Sequence, residues 1–145
     1  MRFLLLLAAL VAAPAFAQIK VENPWARATA PGAKVGAGYM KISAPKGDRL
    51  VGASSSAAAR VELHVTQKHG DMLMMREVKA YEIPAGGSFE LAPGGAHLML
   101  VDLKAPLQEG GKVPLTLRFA KAGEMNIELD VRPLSGAPPM EHGKH

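Results

Sequence analysis

Four side chains of this sequence, His64, Met75, His97 and Met99, are of types that together could hold a soft metal ion. His64 and Met75 stand at the two ends of His64-Val65-Thr66-Gln67-Lys68-His69-Gly70-Asp71-Met72-Leu73-Met74-Met75, whose centre, His69-Gly70, reads as a hairpin turn. A turn centred there sets His64 opposite Met75, and directly opposed residues of an antiparallel pair project from one face. The same register pairs Val65 with Met74 and Val61 with Val78 as a core stripe. It also opposes Leu63 to Arg76 and Glu62 to Glu77, two poor pairs. Because the strand period is two, a slip of one residue would separate His64 from Met75. Along His97-Leu98-Met99 that period places the His and the Met on one face. An unbroken ladder through Gly86-Gly87 would set Met75 against Leu98, so Pro93-Gly94-Gly95 must interrupt it if the four side chains are to meet.

Two imidazoles and two thioethers, without thiolate or carboxylate, make a neutral, soft donor set that disfavours hard cations and favours Cu(I). Zinc more often takes thiolate or carboxylate. Thioethers also survive an oxidising compartment in which paired thiols would form disulfides. A site of neutral donors near solvent can exchange its ion, so transfer is a more natural use than permanent structural metal. Taken singly, each of the four also has an ordinary reading as a packed or surface residue. Met72 and Met74 read as core, His69 as a hairpin-tip residue, and Trp25 and Tyr39 as core aromatics.

The composition narrows the field further. Cysteine is absent, so disulfide staples, thiolate ligands and a His-Cys electron-transfer site are excluded. Eight Met against four Phe and one Trp is a Met-rich balance, and three of those Met fall within residues 72–75. The formal net charge of +4 comes from scattered Lys and Arg with no basic run and no interleaved aromatics, which argues against nucleic acid as a partner.

The elements that must position these residues are short apolar or alternating runs separated by Gly and Pro, with helical periodicity hard to find after Ala17. Strands are expected at Trp25 to Ala28, Gly38 to Ser43, Leu50 to Ala53, Arg60 to Thr66, Leu73 to Ile83, Ser88 to Leu91, His97 to Leu103, Lys112 to Phe119 and Met125 to Val131. Many short strands at this spacing imply a single all-β sandwich or barrel with Greek-key connections over residues 18–134. Ser54 to Ala59 reads as a loop or one helical turn. Arg2, the apolar run from Phe3 to Ala13 and the triplet Ala15-Phe16-Ala17 read as a signal peptide over 1–17, cleaved after Ala17, which leaves a protein outside the cytoplasm with no membrane insertion. Ser135 to His145, with two adjacent prolines and no hydrophobic period, reads as a disordered tail.

With these residues in view, the sequence resembles the periplasmic copper chaperone PCu(A)C family. The family's metal signature is His, ten residues, Met, twenty-one residues, His, one residue, Met, and His64, Met75, His97 and Met99 match it position by position. Trp25-Ala26-Arg27, Ala37-Gly38-Tyr39-Met40, Val61-Glu62-Leu63-His64 and Pro93-Gly94-Gly95-Ala96-His97-Leu98-Met99 look similar too, and the resemblance runs from about Val21 to Val131. It implies a cupredoxin-like sandwich carrying Cu(I) in the periplasm, monomeric and not an enzyme. It further implies supply of copper for cytochrome c oxidase assembly, with the oxidase copper subunit or a Sco-type chaperone as partner. Some relatives end in a Met- and His-containing extension, and Met140, His142 and His145 are similar to that. Imidazole nitrogens in this tail suggest a secondary Cu(II) site. Copper buffering without a dedicated recipient, a metal-free interaction module and a redox enzyme are the competing classes. The first shares the same ligands, the second does not account for His97-x-Met99, and the third lacks cysteine.

Overall fold

The computed structural model describes residues 18–133, which form ten β-strands and no helix. The expected signal peptide at 1–17, Leu134, and the expected tail at 135–145 with Met140, His142 and His145 lie outside the described residues. The strands are β1 (Lys20–Arg27), β2 (Val35–Ala44), β3 (Asp48–Ser54), β4 (Ala58–His69), β5 (Met72–Glu77), β6 (Tyr81–Ile83), β7 (Gly87–Leu91), β8 (His97–Leu103), β9 (Lys112–Phe119) and β10 (Gly123–Arg132). Seven of them follow one another in the order β4-β8-β2-β1-β10-β9-β3, and an Ala53↔Val61 pairing joins β3 back to β4. The sandwich is therefore closed, with β5, β6 and β7 added to β4, β3 and β2. Only β1 and β10 pair in parallel among these strands. This is the all-β Greek-key architecture that the sequence pattern implies, in the cupredoxin-like sandwich form that the family resemblance implies.

Period-two alternation builds the core. Val113, Leu115, Leu117 and Phe119 of β9 point inward, as do Leu98 and Leu100 of β8, and all are buried. Asp48, itself buried, accepts backbone N–H bonds from Arg49, Lys121 and Ala122, which fixes the β9–β10 turn against β3.

Three departures from the sequence reading have local causes. β1 begins five residues before Trp25, because a bulge between Glu22 and Trp25, with Asn23 at φ 48°, absorbs Pro24 within the strand. The run from Leu73 to Ile83 breaks at 78–80. β5 belongs to a hairpin with β4, whereas β6 pairs with β3, so the chain must leave one sheet edge for the other. Met72 and Met74 are not core residues. β8 starts opposite His64, so the β4–β5 hairpin beyond that point runs past the body of the sandwich, and β5 is exposed among the described residues.

Core truncation and hairpin truncation should therefore differ sharply. Leu98→Ala should cost about 2–5 kcal/mol as a cavity in a closed core. Met74→Ala, on a side chain 52% exposed, should stay within about 0.5 kcal/mol. Urea denaturation of the two variants beside the parent protein checks both values.

Candidate metal centre

The site is built on β4 and β8, which pair antiparallel with His64 directly opposite His97 and Glu62 opposite Met99. Leu63, Leu98 and Leu100 take the core-facing positions of these strands, so His64, Thr66, His97 and Met99 share the outer face. The two imidazoles stack with ring centroids 5.5 Å apart.

β5 flanks the other edge of β4, and its register corrects the sequence reading. His64 pairs with Glu77 and Thr66 with Met75, because the two-residue turn is Gly70–Asp71 and not His69-Gly70. Gly70 takes φ 60° at the first central position, where a type II′ hairpin wants glycine. Moving the turn by one residue moves every partner by two, and a shift of two keeps side chains on their face. Met75 thus sits diagonal to His64 and on its side. The concern about an unbroken ladder disappears as well, since β4 lies between β5 and β8 while β6 and β7 leave for β3 and β2. Met75, His97 and Met99 line a single cavity of about 400 Å³ together with Arg27, Tyr39 and Thr66. His64 does not line this cavity and joins the other three only through its ring, stacked on that of His97.

Several residues hold this arrangement without having been singled out as part of it. From the core, the Tyr81 hydroxyl lies 2.6 Å from the His64 carbonyl and 2.7 Å from that of His97, bridging the two strands behind the rings. Burial pushes the Tyr81 phenol well above its ordinary pKa, so it stays protonated and able to donate. Thr66 Oγ1 donates to the Gly95 carbonyl at 3.0 Å, tying β4 to the loop that enters β8. Trp25 and Tyr39 are buried as expected, but they also continue a row of rings toward the site, with centroids 4.6 Å apart and Tyr39 6.5 Å from His97. Arg132 covers the Trp25 face and Arg27 the Tyr39 face. Strand parity could have marked Glu62 and Thr66 as same-face neighbours of His64, a signal the sequence reading did not use; no local signal marks Tyr81.

Electrostatics separates the two imidazoles. Burial lowers the His97 pKa, with His64 acting in the same sense and a 3.4 Å contact from Nδ1 to the Gly95 carbonyl acting against it. His64 Nε2 is 3.2 Å from Glu62 Oε1, whereas its Nδ1 is buried with no hydrogen-bond partner. An unpartnered buried polar atom costs about 1–3 kcal/mol, so a lone pair left bare there fits a place where an external electrophile binds. Glu62, His64 and Glu77 bring their donor atoms within 4.8 Å of one another, a harder set on the other side of the ring. Arg60 Nε occupies Glu62 Oε2 at 3.0 Å and Glu77 is exposed, so this carboxylate set is partly engaged and open to solvent.

Fold and cavity together define a cupredoxin-like β-sandwich with two His and two Met gathered on its outer face. Its structure is similar to the PCuAC domain from PmoF2 solved with copper bound, at TM-score 0.67 and 33% identity, covering 79% of this chain and 92% of that one. It is also similar to the solution structure of CuI-DR1885 from Deinococcus radiodurans, at TM-score 0.61 and 30% identity over 86% of this chain and 83% of that one. Lxx21020 of Leifsonia xyli subsp. xyli, which is named as a lipoprotein, is 38% identical over 120 residues, 82% of this chain and 72% of that protein. The LpqE-like family profile matches residues 19–131, and the chain belongs to that family.

Two outcomes follow for the apo protein. Tyr81→Phe should lower stability by about 1–3 kcal/mol, since two buried carbonyls lose a shared hydroxyl; urea denaturation measures it. His97 contributes a pH dependence of definite sign. Its folded pKa lies below the unfolded value of about 6.5, so its contribution is complete above that value and is lost as pH falls from there through the folded pKa. The stability difference between the parent and His97→Asn, measured across this range so that carboxylate effects cancel, should shrink toward acid.

Proposed function

We propose that this protein is an exported copper carrier that binds one Cu(I) through His64, Met75, His97 and Met99 and hands it to another protein. The observation that carries the reading is the gathering of one imidazole and two thioethers at one cavity with a second imidazole stacked on the first, a neutral soft set suited to Cu(I). The unpartnered His64 Nδ1 supports it, as does similarity to domains solved with copper. The lipoprotein name of a relative supports export.

Within this reading the residues divide the work. His97 is 8% exposed and Met75 61% exposed, so the donors run from a buried imidazole to a thioether at the surface. A recipient's ligands can approach from the Met75 side and replace donors one at a time, without unfolding the sandwich. Cargo exchange needs no bond-making chemistry on a substrate, and the protein acts as a chaperone and not an enzyme. The periplasm is its compartment, and the copper subunit of cytochrome c oxidase or a Sco-type chaperone is its recipient. Met140, His142 and His145 form a separate Cu(II) site in the tail.

Met75→Leu and Met99→Leu each remove a thioether at nearly constant volume. Both should weaken Cu(I) binding at least tenfold in competition with a chromophoric Cu(I) chelator, and leave the denaturation midpoint close to that of the parent. Unchanged affinity in both variants would remove these residues from the site. In cells, loss of oxidase activity on deletion, restored by added copper, supports delivery. Normal oxidase activity with altered copper tolerance supports buffering instead.

A further inference from the structure

We propose that Glu62 is a positioning residue that fixes the tautomer of His64, so that this ring presents Nδ1 to the metal while His97 presents Nε2; the inference rests on the copper reading above. Glu62 and His64 are two residues apart on β4 and share its outer face. Glu62 Oε1 lies 3.2 Å from His64 Nε2, and Arg60 Nε holds the other carboxylate oxygen at 3.0 Å. An ionised carboxylate only accepts hydrogen bonds, so Nε2 carries the proton of the neutral ring and Nδ1 is bare. That Nδ1 is one of two buried side-chain nitrogens without a partner among the described residues, the other being Arg27 Nε. His97 has the reverse arrangement. Its Nδ1 faces the Gly95 carbonyl at 3.4 Å, and a carbonyl likewise only accepts, so Nδ1 carries the proton and Nε2 is bare.

The consequence is chemical. In the other tautomer, Nδ1 of His64 would carry a proton and its lone pair would face the carboxylate, turning the ring's donor away from the enclosed side. Outer carboxylates that orient a ligating imidazole commonly set metal affinity to within about 10- to 100-fold, and Glu62 is placed to do this for His64. Glu77, opposite His64 on β5, is exposed and has no hydrogen bond to the ring, so the role falls to Glu62.

The test reads the tautomer and the affinity separately. Long-range ¹H–¹⁵N NMR of the ¹⁵N-labelled apo protein, above the pH at which histidine protonates, should show Nε2–H for His64 and Nδ1–H for His97. Glu62→Gln keeps an accepting oxygen and should keep both the tautomer and the Cu(I) affinity. Glu62→Leu should release His64 into a mixture of tautomers and weaken Cu(I) binding about 10- to 100-fold. An Nδ1–H tautomer for His64 in the unaltered protein overturns the proposal, and this reading decides it even where the Leu variant fails to fold. Equal affinities for the Gln and Leu variants also overturn it: unchanged, they show that no positioning is needed, and equally weakened, they make Glu62 a direct donor. Failure of the unaltered protein to bind Cu(I), with the Nε2–H tautomer present, overturns the copper reading and with it the positioning role.

Discussion

The pairing of β4 with β8 is the constraint on which the site depends. Antiparallel partners sit about 4.5–5.5 Å apart at Cα, and this spacing is what lets two imidazoles from residues 33 positions apart in the chain stack at 5.5 Å. A one-residue slip along either strand would send one ring into the core and the other to solvent. Several independent features oppose that slip. Leu63, Leu98 and Leu100 are buried on the opposite face, Tyr81 grips both histidine carbonyls from behind, and Thr66 holds the loop that leads into His97.

Burial is distributed unevenly over this frame. His97 is buried and lines one cavity with Tyr39 and the segment between β1 and β2, and the cost of charging it there lowers its pKa. Met75 lies on a hairpin that has outrun the sandwich, and its side chain is open to solvent. The same topology accounts for both facts. β8 ends its pairing with β4 at His64, so beyond that row β4 and β5 have only each other as strand neighbours, while before it β4 also pairs with β8. The His and Met side chains gathered across this boundary therefore have a buried side and an open side.

The exposed methionines need no separate explanation as core residues gone astray. Flexible, polarisable side chains on a projecting edge strand lose little by being uncovered, because they were never part of the alternating stripe that fills the sandwich. That stripe on β4 is Val61, Leu63 and Val65, and it packs against the core as its parity requires.

Much of this was legible in the residues themselves. Alternation along His97-Leu98-Met99 and along β9, the Gly- and Pro-marked turns, and the absence of cysteine determined an all-β domain and the only donor types available to a soft ion, because strand period and side-chain chemistry are local properties. The family signature identified which His and Met to consider. Tertiary structure alone decided the rest. The turn at Gly70–Asp71 displaced the His64 register from Met75 to Glu77, and the shift by two kept Met75 on the right face only because sheet parity is preserved under even slips. That β4 would lie between β5 and β8, that Tyr81 would reach two backbone carbonyls, and that Met72 and Met74 would stand in solvent are matters of which strands become neighbours. Neighbour choice is set by how the whole core closes, a sum over many weak contacts between residues distant in sequence, and no local window of the chain contains it.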